Sequence, residues 1–454
     1  MTTDEGAAPQ PAPEPAPTNC AGIIKQLGPG LIISAVIVGS GELIVTPRLG
    51  SIEGFRLLWF IILGCFIKVF VQIELGRFAI SRGMTTLEAM NSIPGPRWVV
   101  SWLVWLWVFM YVALIFQVAG MVGGIASVFS LAGLSLSVNT LAVLVAASAA
   151  LLLVFGRYRL VEFLSTLLVV VFTLCTLVAV GALQTTPYAI TGQQLIDGLK
   201  FELPDKFTTA FAAFGIIGVG ASELIYYPYW CLEKGYARKI GPNDQSPAWR
   251  ERAVGWVRVM RIDAWVSFAI YTTATLAFYL LGAAVLHAKG LVVENSQMIA
   301  TLSHMYRETF GQWSFWLFLV GAFAVLYSTV FGATASNARL LADALSIFGL
   351  VKYRTPEQRV TMIKIGCVLL PCAFVTVFLA WGEPVSLVFV GALAQGLMLP
   401  FLAFAALYFH YRRTDAFLLP GKVWKFFLWF ASLAMAAVGI YKVVEEAQKV
   451  FKAG

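Results

Sequence analysis

Charge is what this chain has least of. Asp, Glu, Lys and Arg make up 12% of its 454 residues, against 59% hydrophobic, and the mean hydropathy is +0.80. A composition this poor in charge belongs to an integral membrane protein and excludes a soluble one with a large core. Histidine is scarce too. His287, His304 and His410 fall in loops or at segment ends, which rules out a histidine ligand at mid-membrane. The six cysteines (20, 65, 175, 231, 367, 372) are scattered without a C-x-x-C, so neither a disulfide framework nor a zinc site is expected. No nucleophile–base pair or metal-ligand cluster stands out, which argues against an enzyme, and no cofactor is implied. The net charge of +8 is read as the loops on one side of a membrane, not as a nucleic-acid surface. Residues 2–19, rich in Pro, Ala and Glu, have no basic stretch before an apolar run, so 1–20 is expected to be a disordered tail and not a cleaved signal.

What the chain has in quantity is apolar length. Eleven segments are predicted near 24–50, 57–80, 98–128, 138–155, 160–183, 207–234, 262–286, 313–345, 360–381, 385–409 and 423–442. Most are long enough to cross a ~30 Å hydrocarbon core at ~1.5 Å per residue. Residues 247–260, with Trp249, Val254, Trp256 and Val259 among arginines, read as an interfacial helix leading into segment 7.

Two of these segments carry a shared interruption. Gly39-Ser40-Gly41-Glu42-Leu43-Ile44-Val45-Thr46-Pro47 in segment 1 returns in segment 6 as Gly220-Ala221-Ser222-Glu223-Leu224-Ile225-Tyr226-Tyr227-Pro228. Glycine, glutamate and proline so close together weaken a membrane helix or are costly in lipid. Matching broken helices in two halves of a chain mark the binding site of an inverted-repeat transporter. The expected architecture is therefore all-α. Residues 21–185 (helices 1–5) and 186–410 (helices 6–10) form two inverted five-helix repeats, with helices 1 and 6 broken at the midplane, and 411–454 adds helix 11.

Orientation follows from the basic residues. Arg77, Arg82 and Arg97, Arg157 and Arg159, Lys234, Arg238, Lys239, Arg250 and Arg252, Lys352, Arg354 and Arg359, and Arg412, Arg413 and Lys422 fall at or after the even-numbered segments. The positive-inside rule then puts the N-terminus in the cytoplasm and the C-terminus outside, in a multi-pass plasma-membrane protein. A monomer is expected, with the bilayer and a small-molecule substrate as its partners.

An interrupted helix frees N–H groups on one half and C=O groups on the other, which suit an anion and a cation respectively. The expected substrate site comprises Gly39, Ser40, Gly41, Glu42, Arg48, Gly220, Ala221, Ser222, Glu223 and Gln395. The serines supply hydroxyls and the glycines admit a ligand close to the backbone. Glu42 and Glu223 could carry a coupling proton or, if a cation is bound, coordinate it. Arg48 is the nearest fixed cation. Gln395, after a Gly-Ala-Leu-Ala stretch and before Pro400, is placed facing the cavity. Lys68, Glu74 and Arg77 read as snorkelling or gate residues toward the cytoplasmic end of segment 2, and Arg339 with Asp343 as an i,i+4 pair. Asn337 and Gln117 are further polar residues within the segments.

Gly28-Pro29-Gly30, Leu57-Leu58-Trp59, Leu75-Gly76-Arg77, Gly123-Gly124, Ile216-Ile217-Gly218 and Leu399-Pro400-Phe401 resemble the Nramp divalent-metal transporters along essentially the whole membrane part. The resemblance implies a LeuT-type fold and proton-coupled uptake by alternating access. The family's metal ligands are not kept. Its Asp-Pro-Gly-Asn falls on Gly39, Ser40, Gly41 and Glu42, its metal-binding methionine on Ser222, and the following Pro-His on Glu223 and Leu224. Its acidic pair in segment 3 falls on Gln117 and Gly120, and its site glutamine in segment 10 on Ala392. Selection for manganese or iron should go with the soft ligand. Two substrates follow. The favoured one is a small organic anion, a citrate-like di- or tricarboxylate, free or metal-chelated, held by serine hydroxyls, helix amides and Arg48. The alternative is a hard divalent cation, magnesium before manganese or iron. A channel or a non-transporting sensor is a more distant reading, because no pore-like ring of carbonyls or acids is evident.

Overall fold

A computed structural model describes the backbone of residues 13–39, 41–155, 158–204 and 207–453, and the side chains of these except 158–166, 168, 296, 446–447 and 449–453. Ser40, Arg157 and residues 1–12 lie outside the described residues.

Among the described residues the one strand pairing is a short hairpin, Arg97–Trp98 against Val100–Ser101. Everything else regular is helical. Nine helices among the described residues are long and apolar enough to cross a membrane. They are helix 1 (Pro29–Ile37, then Thr46–Glu53), helix 2 (Leu58–Arg82), helix 3 (Trp102–Leu131), helix 6 (Phe207–Ile216, then Ala221–Glu233), helix 7 (Pro247–Leu281), helix 8 (Ser314–Ile347), helix 9 (Pro356–Trp381), helix 10 (Pro384–Arg412) and helix 11 (Lys422–Ala453). Helix 4 (Val138–Val154) and helix 5 (Tyr158–Ala182) occupy the places of segments 4 and 5 and contribute shorter apolar stretches. We call the two halves of the broken helices 1a and 1b, and 6a and 6b.

Three expectations change. The interfacial helix of 247–260 is the first part of helix 7, because nothing between Ser246, whose hydroxyl caps the Trp249 N–H at 3.1 Å, and Leu281 interrupts it. Trp249 and Trp256 point inward and are buried, leaving Val254 on the surface. Residues 13–19 are held, not free. The Glu14 N–H donates to the Lys239 carbonyl at 2.9 Å, and Trp256 Nε1 donates back to the Glu14 carbonyl at 2.9 Å. An additional helix, Met298–Phe310, lies between helices 7 and 8. Its apolar side (Ile299, Leu302, Met305, Tyr306) is buried against the bundle. Its polar side hides it from a search for membrane spans.

The core around the breaks is built on close backbone approach. Helix 3 runs along helix 10, and 6a crosses helix 10. At Gly215 of 6a a Cβ would stand 2.1 Å from the Ala392 carbonyl oxygen and 2.6 Å from the Gly396 nitrogen. At Gly120 of helix 3 it would stand 2.5 Å from the Pro384 carbonyl oxygen. Small residues at such crossings let membrane helices touch along their main chains. Gly215→Ala should therefore cost about 3 kcal/mol, because the obstacle is backbone and cannot rotate away. Thermal unfolding in detergent should show the loss, and an unchanged midpoint would mean the two helices can separate freely.

Candidate functional site

Helix 1a ends at Ile37, and the chain turns through Val38 and Gly39, where a Cβ would lie 2.0 Å from Thr329 Oγ1. Only glycine fits, because Thr329 of helix 8 comes in to donate to the Val36 carbonyl at 3.1 Å, one of those freed by the break. Gly41–Val45 then forms a π-helical turn, and Thr46 Oγ1 donates to the Gly41 carbonyl at 2.8 Å before 1b begins.

Helix 6a ends at Ile216. Gly218, at φ +56°, takes the left-handed conformation that favours glycine. Gly220 caps 6b with extended backbone and no side-chain hydrogen bond of its own. Gln395 of helix 10 supplies the cap instead: its Oε1 accepts from the Ser222 N–H at 2.9 Å. A Cβ on Gly220 would stand 2.7 Å from that oxygen and 2.5 Å from Glu223 Oε2.

Between the two breaks lies a cavity of about 20 Å³, room for a single water-sized occupant. Its polar wall is Ser222, Glu223, Gln395, Gln117, Asn337, Tyr226 and Thr329, with Gly41 at the edge of the first break. Val36, Leu114, Val118 and Met121 form the apolar side. The Ser222 hydroxyl sits 2.9 Å from Glu223 Oε1 and 2.8 Å from Gln395 Oε1. Gln395 Nε2 donates to Gln117 Oε1 at 2.8 Å, and the Tyr226 hydroxyl donates to Asn337 Oδ1 at 2.8 Å. Glu223 is the one charged side chain on this wall among the described residues.

The two glutamates that match in sequence part company in space. Glu42 does not line the cavity. It is fully buried and turned toward helices 6 and 7, where its Oε1 accepts from Thr275 Oγ1 at 2.9 Å and from the Gly218 N–H at 3.3 Å. Its Oε2 has no hydrogen-bond partner among the described residues. The cause is local: Glu223 stands in the first turn of an α-helix, whereas Glu42 stands in a π turn, whose extra residue rotates the side chain to another face.

Arg48 is also elsewhere. Its guanidinium donates to the Val293 carbonyl and lies 5.4 Å from the Phe389 ring centroid. It lines a separate, wide cleft of about 800 Å³ with Glu294, Asn295, Glu383 and Ser386. Gly39 and Ala221 are buried framework, and of the nine expected positions among the described residues Gly41, Ser222, Glu223 and Gln395 reach the cavity, Ser40 lying outside them.

Other polar residues also find new partners. Lys68 is fully buried midway along helix 2, not snorkelling, and donates to the carbonyls of Phe214 and Ile217 at the end of 6a. Arg339 pairs with Glu233 at 2.5 Å, and Asp343 with Arg359 at 2.7 Å, so these two do not pair with each other. Glu74 holds Arg77 at 2.6 Å, His410 at 3.1 Å and Trp424 Nε1 at 2.5 Å, in a buried knot of helices 2, 10 and 11. Asp263 of helix 7 drew no notice in the sequence, yet it accepts from the Gly28 N–H at 3.0 Å and the Gly30 N–H at 2.6 Å. It also accepts the Tyr227 hydroxyl at 3.1 Å. Its only sequence signal is a carboxylate at the edge of an apolar segment. No three His, Cys, Asp or Glu side chains gather into a metal-binding group among the described residues.

Two discontinuous helices facing each other across a small polar cavity, inside a bundle of apolar helices, define a secondary transporter and not an enzyme. The chain belongs to the Nramp family: residues 30–445 match the family described as natural resistance-associated macrophage protein-like. An uncharacterized protein of Pasteurella multocida, PM0681, is 23% identical over 341 residues, covering 71% of this chain and 70% of that one. Among solved structures, a variant of the Eremococcus coleocola manganese transporter superposes with a TM-score of 0.67 at 15% identity, over 97% of this chain and 91% of that one. The nucleobase-cation-symport-1 transporter Mhp1, closed around bromovinylhydantoin, gives a TM-score of 0.59 at 16% identity, over 95% and 96%. At such identities the likeness is one of fold, and that fold is the LeuT type.

Proposed function

We propose that this transporter takes up a small, hard divalent cation of the magnesium type, driven by protons, from an N-terminus-inside orientation in the plasma membrane. The observation that carries the reading is the cavity wall. Its one charged group is the Glu223 carboxylate, and around it stand the amide and hydroxyl oxygens of Gln395, Gln117, Asn337 and Ser222, with no Lys or Arg among the described residues lining it. Hard cations prefer oxygen donors, and magnesium binds through one or two carboxylates while keeping several waters. An organic polyanion would need a cation on that wall. The arginine expected to serve it lines the wide cleft instead.

The separation of the two glutamates supports a division of labour. Glu223 serves the cargo, and Glu42 carries the coupling proton on Oε2, the oxygen without a partner among the described residues, while Oε1 keeps its two donors in either protonation state. Uptake into proteoliposomes tests the whole reading. With an inward pH gradient, Mg2+ should accumulate, Mn2+ should have no advantage over it, as expected for oxygen ligands without a soft donor, and labelled citrate should not enter. Accumulation of citrate without Mg2+ flux would overturn the cation reading in favour of an organic anion.

A further inference from the structure

Behind the cavity wall lies a second charged centre. Lys68 has no exposed surface, and its Nζ donates to the carbonyl of Phe214 and, at 2.8 Å, to that of Ile217, with the Phe214 ring centroid 4.8 Å away. Glu42, equally buried, accepts from the Gly218 N–H. The C=O of Ile217 and the N–H of Gly218 belong to one peptide unit. A single peptide plane, at the break of helix 6, is thus held between an ammonium on its oxygen and a carboxylate on its nitrogen.

Each element of this arrangement has a physical reason. The last carbonyls of 6a have no intrahelical partners and carry the negative end of the helix dipole, which is where a cation is stabilised. A buried ammonium costs several kcal/mol unless a counter-charge answers it. Glu42 provides that counter-charge through the peptide dipole, which both ions polarise in the same sense. The Thr275 hydroxyl steadies the carboxylate from helix 7. One point therefore joins helices 1, 2, 6 and 7.

We propose that Lys68 is the resident cation of this transporter. It is a tethered ammonium that fills the carbonyl end of 6a where a freely bound coupling cation would otherwise sit, and with Glu42 it forms a peptide-bridged pair that locks both breaks to helix 2. This inference rests on the transporter class and not on the identity of the cargo. Two consequences follow. Transport needs neither sodium nor potassium, and the charges of Lys68 and Glu42 are energetically coupled although their side chains make no direct hydrogen bond.

A double-mutant cycle on the full-length protein tests the pair without any substrate. Lys68→Met and Glu42→Gln should each lower the thermal midpoint by about 5–10 °C, because each strands one buried charge. The double variant should recover most of that loss, since neither charge is left alone, and Lys68→Arg should stay near wild type. A lysine that merely ties down two carbonyls predicts additive losses, and additivity would overturn the proposal. If either single variant cannot be purified, the double variant decides: recovery of folded, monodisperse protein supports the pair, and its failure sinks it. In proteoliposomes, wild-type Mg2+ flux should be equal in sodium, potassium and choline media, whereas a strict sodium requirement would overturn the resident-cation role. Absence of Mg2+ flux in every medium would count against the cargo reading and leave the thermal cycle to judge this one.

Discussion

Glu223→Gln should lower the apparent affinity for Mg2+ on the order of 100-fold, the loss that follows from removing close to 3 kcal/mol of interaction, while the protein still folds. The substitution keeps the shape of the side chain and an oxygen for the Ser222 hydroxyl, 2.9 Å away. What it removes is the single charge on the cavity wall among the described residues. The remaining amide and hydroxyl oxygens can orient a hydrated cation but cannot neutralise it. The sign of the effect is as informative as its size. If the cargo were an organic anion, the same substitution would remove a repulsion and bind it more tightly. Glu42→Gln gives the contrast: it should leave affinity within a few fold and abolish the pH-gradient dependence of uptake. Flux measured against Mg2+ concentration, with and without a pH gradient, separates the two variants. Equal affinity losses would mean that both glutamates meet the cargo.

Asp263→Ala should release helix 1a. One carboxylate takes the Gly28 and Gly30 amides at 3.0 and 2.6 Å and the Tyr227 hydroxyl at 3.1 Å, so it is the N-terminal cap of 1a supplied by helix 7 and a tie to 6b. One turn on, Ser34 Oγ and Ser267 Oγ meet at 2.8 Å. Hydrogen bonds to a charged group contribute about 1.5–3 kcal/mol each, and alanine leaves the Gly28 and Gly30 amides without their acceptor, while the Tyr227 hydroxyl falls back on the Met260 carbonyl at 3.0 Å. Ser34→Cys offers a readout in a background lacking the exposed Cys20 and Cys372. Ser34 is buried in the intact protein. Maleimide labelling at that position should become at least about tenfold faster in Asp263→Ala, a shift of about 1.4 kcal/mol in the opening equilibrium. Unchanged labelling would mean that the apolar packing of 1a, with Ile33 and Ile37 buried, keeps it closed without Asp263.

The breaks were legible because they are written twice. Gly39 and Gly220, Glu42 and Glu223, and Pro47 and Pro228 correspond one to one, and Thr329 against Gly39 and the positive φ of Gly218 show why the chain cannot continue as helix there. Gln395 could be placed on the cavity because small residues before it and Pro400 after it mark a close-packed face. The difference between the two glutamates could not be read, since the same residue string takes a π turn in one half and an α turn in the other, and that choice depends on neighbouring helices. Lys68 and Arg48 were misplaced for a related reason. Position along a segment gives depth in the membrane, but the face a residue presents is decided by packing. Asp263 stayed unseen because two of its three partners are main-chain amides, which leave no trace in composition.

A cavity of about 20 Å³ has to widen before any hydrated ion can pass, and Gly215 restricts how. At Gly215 the main chain of 6a is seated directly on Ala392 and Gly396 of helix 10, so that crossing has no side chain of its own to change rotamer and absorb a displacement. They should travel together as one stiff strut. The widening then falls to the seams made of single hydroxyls, Thr329 on Val36 and Ser34 on Ser267. There a hydrogen bond can be exchanged for water, although Ile33, Val36 and Ile37 are packed beside it, so the opening motion is expected along helix 1a.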